Sequence, residues 1–226
     1  MGRFSFFILM VVSVCSIFSA CSGKPYGQYR DDQMIGFVSS LDEAEQTVTF
    51  DVSEWMKRDE PGPAIEDWGA EYTAQVLPGT KLTNEAGAQL KWDDLKLGQK
   101  VEIKQPKDKD LANAPDELIL LTMGNEEVLK RLGMLARAEG SYRTIIMYEQ
   151  GTELPYDSDY FEREAPSVFQ GGLGWVEYNP DYVLDLKKAL DIGALPVFLV
   201  FDNEKLVVKT VRLENVVAFM DAIQEK

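Results

Sequence analysis

Both cysteines of this chain lie at its start, because Cys15 and Cys21 fall within the first 21 of its 226 residues. The remaining residues, 22–226, therefore cannot form a disulfide, a thiolate zinc site, an iron–sulfur cluster or a Cys-x-x-Cys redox pair. The body of the chain has to fold by burying apolar side chains, and a hydrophobic content of 45% is enough for a packed core.

The chain also contains no histidine. This excludes a Ser-His-Asp triad, a Cys-His pair and a histidine metal ligand. The net charge of −15 argues against nucleic-acid binding, which needs cations to displace phosphate counterions. We therefore expect no catalytic residue, no metal, no cofactor and no nucleic-acid partner. A hydrolase stays open, because among 38 acidic residues some carboxylate pair is inevitable.

The N-terminal segment has the features of an export signal. Met1-Gly2-Arg3 is a short basic start, and residues 4–18 follow without a charge. This apolar stretch is short for a membrane span, which needs about 20 residues, but suits the hydrophobic region of a secretory signal. Its end, Phe18-Ser19-Ala20-Cys21, resembles the lipobox of bacterial lipoproteins, in which the cysteine is lipidated and becomes the mature N-terminus. An ordinary cleaved signal and an uncleaved anchor are the alternatives.

The lipoprotein resemblance implies a signal peptide over residues 1–20 and a lipid on Cys21. Residues 21–33 then form the lipidated cysteine and a flexible tether, since this segment is polar and contains Gly23, Pro25 and Gly27. The implied location is the outer face of the bacterial cytoplasmic membrane, where the lipid holds the protein to the membrane.

Residues 34–123 alternate between apolar and polar side chains, which predicts short β-strands. The pattern predicts five of them, at residues 35–39, 47–52 and 71–76, at the end of 90–103, and at 117–123. Five short strands with irregular loops favour a small Greek-key barrel. The segment LKWDDLKLGQKVEI resembles the small OB-fold-like domains of extracytoplasmic lipoproteins in Gram-positive bacteria, which implies an OB-like β-barrel here.

From residue 125 onward the hydrophobic pattern changes from strand-like alternation to a mixture of helical and strand patterns. Asn125 is a predicted N-cap before an apolar stripe of helical spacing that opens at Val128. The order that follows is strand, strand, a helix opened by Asn179-Pro180-Asp181, two further strands and a last helix. The stretch from Gly174 to Ile223 is similar to the C-terminal half of thioredoxins. The fold class is therefore α+β: a small five-stranded OB-like β-barrel, then an α/β thioredoxin-like domain, with two separable folding units that meet at Gly124.

The thioredoxin resemblance also implies a site. Pro196 stands where that family has its cis-proline, so we predict a cis peptide bond there. The sequence Glu153-Leu154-Pro155-Tyr156 stands where the family has Cys-x-Pro-Cys, and without a cysteine it cannot carry out thiol–disulfide exchange. What the resemblance leaves is a candidate binding groove, formed by Glu153, Pro155, Tyr156, Leu195 and Pro196.

Aromatic residues are frequent in the sequence on both sides of this loop: Tyr148, Tyr156, Tyr160, Phe161, Phe169, Trp175 and Tyr178. Such residues form recognition patches or ordinary core, and both interpretations stay open. The acidic residues Asp157, Asp159, Glu162 and Glu164 indicate a solvated start of a helix, with calcium binding as the alternative, although the glycine and distal glutamate of an EF-hand loop are missing.

The sequence thus predicts a membrane-anchored extracytoplasmic lipoprotein that acts without catalysis. Its partners would be the membrane, through the lipid, and another extracytoplasmic protein or peptide. The alternative is an accessory partner of an extracytoplasmic thiol-redox or cytochrome-maturation system.

Overall fold

The computed structural model describes residues 29–59, 69–105 and 113–224. The predicted signal peptide, Cys15, Cys21 and the first part of the predicted tether lie outside the described residues. We call residues 29–123 the first unit and residues 124–224 the second unit.

The first unit is built on a six-stranded mixed sheet of order β3-β2-β1-β5-β6-β4. Its strands are β1 (Met34–Asp42), β2 (Thr47–Asp51), β3 (Glu71–Gln75), β4 (Lys81–Asn84), β5 (Lys100–Lys104) and β6 (Glu117–Leu120). All neighbours are antiparallel except β4 and β6, which are parallel. A short helix α1 (Ser53–Met56) follows β2, and a 3-10 turn (Trp92–Asp94) precedes β5.

The prediction of five strands in this unit was wrong, because β4 was missed. β4 has only four residues, of which Leu82 alone is strongly apolar, and it follows the turn-forming Pro78-Gly79. Its identity as a strand depends on its parallel pairing with β6, which is remote in sequence. Within the described residues β3 and β4 end the strand order and do not pair, so the sheet is open there and the strands do not form the predicted closed barrel.

The second unit has a four-stranded mixed sheet of order β10-β9-β7-β8. Its elements are α2 (Asn125–Arg131), β7 (Arg143–Glu149), α3 (Ser158–Glu164), α4 (Pro166–Gln170), β8 (Leu173–Tyr178), α5 (Leu186–Ala189), β9 (Val197–Phe201), β10 (Leu206–Thr210) and α6 (Leu213–Gln224). β7 and β8 are parallel and are connected through α3 and α4, whereas β9 is antiparallel to both β7 and β10. The prediction of the α+β class is therefore confirmed.

Strand β9 is buried along its whole length and divides the second core into two layers. Val197, Leu199 and Phe201 pack into the cluster on one face of the sheet, and Phe198 and Val200 pack into the cluster on the other. This division follows from the alternation of side chains along a strand. Helices pack on both faces of the sheet: α2 and α5 on the first face, and α3, α4 and α6 on the second.

The helix predicted to begin at Asn179-Pro180-Asp181 begins later, at Leu186. Residues 179–185 form a turn in which the Asn179 side chain accepts a hydrogen bond from the Asp181 N–H (2.8 Å), and Asp185 caps α5. The N–H of Val183 donates instead to the Leu97 carbonyl of the first unit (2.8 Å). A contact between the two units therefore overrides the local helix signal. The cap predicted at Asn125 was also wrong: Gly124 occupies the N-cap position, and Asn125 is the first helical residue.

Candidate functional site

The loop between β7 and α3 carries three of the predicted groove residues. Glu153 and Pro155 are exposed, and Tyr156 is half-buried. The Tyr156 ring lies between three others, with centroid distances of 5.5 Å to Tyr160, 5.8 Å to Phe161 and 5.7 Å to Phe198. The loop is therefore fixed to the second sheet by an aromatic cluster and has a defined position.

The other two predicted groove residues precede β9. The peptide bond between Leu195 and Pro196 is cis, as predicted. Pro196 is exposed, but Leu195 packs into the Val197 and Leu199 cluster, on the face of the sheet opposite to Tyr156. The structure therefore does not bring Leu195 and Tyr156 onto one surface of the sheet.

A small cavity opens beside the same loop instead. Its volume is about 300 Å³, and we call it the aromatic hollow; its walls are Tyr148, Thr152, Leu154, Tyr156, Asp157, Ser158 and Trp175. Tyr148 and Trp175 meet there because β7 and β8 are parallel and in register, with Ile146 opposite Trp175 and Tyr148 opposite Glu177. Tyr148, Tyr156 and Trp175 belong to the aromatic concentration seen in the sequence, and the structure brings these three together.

Acidic groups surround the aromatic hollow. The Asp157 carboxylate caps α3, where its Oδ1 accepts from the Tyr160 N–H at 2.8 Å. Glu153 and Glu177 are exposed, and neither forms a hydrogen bond or an ion pair with another described residue. The aromatic hollow therefore combines aromatic walls with the Asp157 carboxylate, which the Arg163 guanidinium offsets in part, and has Glu153 and Glu177 near it.

A larger cleft of about 860 Å³ lies between the two units. We call it the junction cleft. At its centre, the Arg131 guanidinium donates to Asp51 Oδ2 (2.6 Å) and to Glu54 Oε1 (2.8 Å), and its carbon lies 3.3 Å above the Phe37 ring. The Tyr29 hydroxyl donates to the second oxygen of Glu54 at 2.9 Å. Sequence reasoning missed this group, because Arg131 is 80 residues from Asp51 along the chain.

The ionisation of the junction residues follows from these contacts. Burial by itself raises the pKa of the Asp51 carboxyl, but hydrogen bonds from the Ser53 hydroxyl and N–H together with Arg131 outweigh it, so the pKa is lowered. Burial raises the pKa of the Tyr29 hydroxyl well above its ordinary value, and the neighbouring Glu54 carboxylate raises it further. The lowered pKa keeps the Asp51 carboxylate charged beside Arg131 at neutral pH, and the raised pKa keeps the Tyr29 hydroxyl protonated.

The second contact at the junction brings the backbone of residues 97–98 against Tyr182 of the second unit. Leu97 and Tyr182 form an isolated parallel bridge, and Gly98 lies under the Tyr182 ring. A Cβ on Gly98 would be 2.2 Å from Tyr182 Cζ. Arg131, Asp51, Glu54 and Glu127 are also occupied by protein partners, Glu127 by Lys100 at 2.8 Å. The residues of the junction cleft thus hold the two units together. The aromatic hollow is therefore the better candidate for binding a ligand.

Comparison with protein-family models, curated proteins and solved structures gave no match to this chain. Among the residues that the structure describes, no three acidic, cysteine or histidine side chains gather as a metal site would require. The described helices include none that is long and apolar enough to cross a bilayer.

Proposed function

We propose that this chain is a lipid-anchored extracytoplasmic protein that binds another protein or peptide without catalysing a reaction on it. In this proposal the second unit is a thioredoxin-like domain that has lost its redox chemistry, and the first is an OB-like domain. One observation carries it: a sheet of order β10-β9-β7-β8 with a cis proline directly before β9, in a part of the chain without a thiol.

The connectivity of the second unit supports the thioredoxin-like assignment. Two parallel strands are joined through helices, an antiparallel hairpin follows, and a 12-residue helix closes the unit. This is the order expected from the resemblance in sequence. Fold by itself does not supply function, so the argument for binding has to come from the site.

The connectivity of the first unit supports the OB-like assignment. β1, β2 and β3 form a meander, β5 returns to the free side of β1, and β4 is parallel to β6. β3 and β4 stand at opposite ends of the sheet order, yet only residues 76–80 separate them along the chain. This connection between the two ends of the sheet is the feature shared with a small barrel, although β3 and β4 do not pair and the sheet is not closed.

In this proposal the lack of thiol–disulfide exchange is argued from the side chains of the 150–157 loop. Disulfide exchange proceeds through a mixed disulfide, and neither the Glu153 carboxylate nor the Tyr156 hydroxyl can form one. Fixed aromatic rings beside an exposed loop are suited to holding a partner in place. Recognition is therefore the activity that these residues can support.

Lipid labelling tests the anchor. Cells that express the protein are fed a radiolabelled fatty acid, and we expect label on the wild type and on Cys15→Ala, but none on Cys21→Ala. Cys21→Ala should also leave the membrane fraction or stay unprocessed, since stable anchoring needs at least two acyl chains. Equal labelling of Cys21→Ala and the wild type would refute the anchor.

A second pair of measurements tests binding without catalysis. The purified protein should reduce insulin no faster than a protein-free control, and crosslinking in intact cells should capture a specific extracytoplasmic partner. Insulin reduction above the control would overturn the non-enzymatic proposal. Recovery of thiol oxidoreductases as the partner would favour the accessory redox role instead.

A further inference from the structure

We propose that the aromatic hollow binds the cationic side chain of a lysine or arginine in an extended basic segment of the partner. This inference rests on the proposed function, because it specifies the chemistry of the partner at the same loop. It depends on three features of the structure: the walls of the aromatic hollow, the charge around it and its position beside the sheet edge.

The walls are aromatic and held in place. Tyr156 is fixed by its contacts with Tyr160, Phe161 and Phe198, and Trp175 packs edge-on against Phe161 with centroids 6.4 Å apart. An ammonium or guanidinium group is attracted to the face of an aromatic ring, most strongly to tryptophan. Because these rings are ordered by core packing, binding need not first organise them.

Acidic side chains outnumber basic ones around the aromatic hollow among the described residues. Asp157 lies in its wall, Glu177 lies opposite Tyr148 on β8, and Glu153 is exposed on the loop. Two basic groups have ion-pair partners: Arg163 pairs with Glu164 at 2.8 Å, and Lys187 pairs with Glu149 at 3.0 Å. Arg163 also interacts with the Asp157 carboxylate and offsets part of its charge. A cationic side chain is therefore attracted, and an anionic ligand is repelled.

The size of the aromatic hollow favours a single side chain. At about 300 Å³ it is a shallow depression that is largely open to solvent. A lysine or arginine can lay its apolar stem along the aromatic walls and keep its charged head beside Asp157.

The sheet edge favours a peptide over a free ammonium compound. β8 is the last strand of its sheet, and no described strand pairs with its outer side. An extended segment can hydrogen-bond to such an edge while one of its side chains enters a neighbouring pocket. The aromatic hollow and the β8 edge together thus form a site for a basic peptide in extended conformation.

The binding experiment uses the purified full-length protein in a non-ionic detergent. A fluorescein-labelled hexapeptide of alternating glycine and lysine is titrated and followed by fluorescence anisotropy. We expect saturable binding that weakens as salt is raised. The same peptide with glutamate in place of lysine should not bind.

Two variants test the walls and the charge separately. Trp175→Leu should weaken binding about tenfold through loss of the π-face. Asp157→Asn with Glu177→Gln should weaken it to a similar extent and flatten the salt dependence; asparagine keeps the helix cap. The matched control is Glu204→Gln, because the β9–β10 turn lies at the opposite end of the sheet from the aromatic hollow. This control should bind like the wild type.

Three results would overturn the proposal. One is no saturation with the lysine peptide. Another is equal binding by the double variant and the wild type while both keep the wild-type circular dichroism spectrum. The third is tighter binding of tetramethylammonium than of the lysine peptide, which would assign the site to a small ammonium compound. None of these results depends on the lipid at Cys21 or on insulin reduction, so this inference and the proposed function can fail separately.

Discussion

Arg131 makes three contacts with the first unit through one planar group. Its two terminal nitrogens bond to Asp51 and Glu54, and its face covers Phe37. Its side chain is 19% exposed, whereas the side chains of Asp51 and Glu54 are 38% and 29% exposed. A lysine could not reproduce this arrangement, because stacking and two-point bonding both require the flat guanidinium.

Replacement of Arg131 should therefore weaken the attachment of α2 to the first unit. We expect Arg131→Met to lower the free energy of unfolding by about 2 kcal/mol, because two half-buried carboxylates lose their partner. Urea denaturation measures this loss. The control is Arg163→Met, since Arg163 is exposed and pairs only with exposed Glu164, and it should cost less than about 0.5 kcal/mol. Equal losses in the two variants would contradict a specific role for Arg131.

The lowered pKa of Asp51 makes the junction sensitive to acid. A carboxyl whose pKa is lower in the folded than in the unfolded chain stabilises the fold above its unfolded value of about 3.9. That contribution is lost as the pH falls through the folded pKa. Asp51→Asn should thus be less stable than the wild type at pH 7, and the difference should narrow by pH 3. Urea denaturation at both pH values measures it, and a difference that does not change with pH would refute the assignment.

Elements with strong local signals were predictable from the sequence. β9 was recognised because five consecutive apolar residues follow Pro196, and α6 because its apolar stripe has helical spacing. β4 was missed and the helix at 179 was placed too early, because distant partners decide both: β6 in the first case and Leu97 in the second. The Tyr148–Trp175 wall likewise depends on the register of two strands that are remote in sequence, which composition does not reveal.

The approach of Gly98 to Tyr182 can be tested against a glycine of the same backbone conformation. Gly98 and Gly87 have φ values of 76° and 77°, but a Cβ on Gly87 would meet nothing within 4 Å. Gly87→Ala should cost about 1 kcal/mol for its backbone alone. Gly98→Ala should cost about 2 kcal/mol more, because the Tyr182 ring has to move.

Thermal or urea unfolding of the two alanine variants isolates the contact between the units. Equal destabilisation would mean that Tyr182 moves aside freely and that its packing against Gly98 contributes nothing. A larger loss in Gly98→Ala would assign the difference to the junction.

Within the described residues, each hydrophobic cluster belongs to one unit. The cluster of the first unit draws its buried residues from Met34 to Leu120, and the two clusters of the second unit draw theirs from Leu129 to Met220. The described contacts that join the units are local: those of Arg131 with Asp51, Glu54 and the Phe37 ring, the Lys100–Glu127 ion pair and the Leu97–Tyr182 bridge. Most buried apolar side chains therefore belong to a cluster within one unit, and Phe37, which lies under Arg131, is an exception.

Fragments that end and begin at Gly124 should each fold alone. Each should give a cooperative urea transition by circular dichroism, because its core is complete. Each should also be less stable than the same unit in the whole chain, since the junction contacts are lost. Failure of both fragments to fold would contradict the division into two units.

If Cys21 carries the proposed lipid, the hydrogen bond between Tyr29 and Glu54 limits the distance between the protein and the membrane. It ties residue 29 to the body of the molecule, only eight residues after Cys21. Eight residues span at most about 28 Å, so a lipid on Cys21 would keep the first unit within that distance of the bilayer. A partner in the same membrane would then meet the protein at an effective concentration that short linkers raise to about millimolar. At that effective concentration, a site that binds one lysine side chain of the partner with a millimolar dissociation constant is occupied about half of the time. A free peptide with the same affinity, present in solution at much lower concentration, stays unbound.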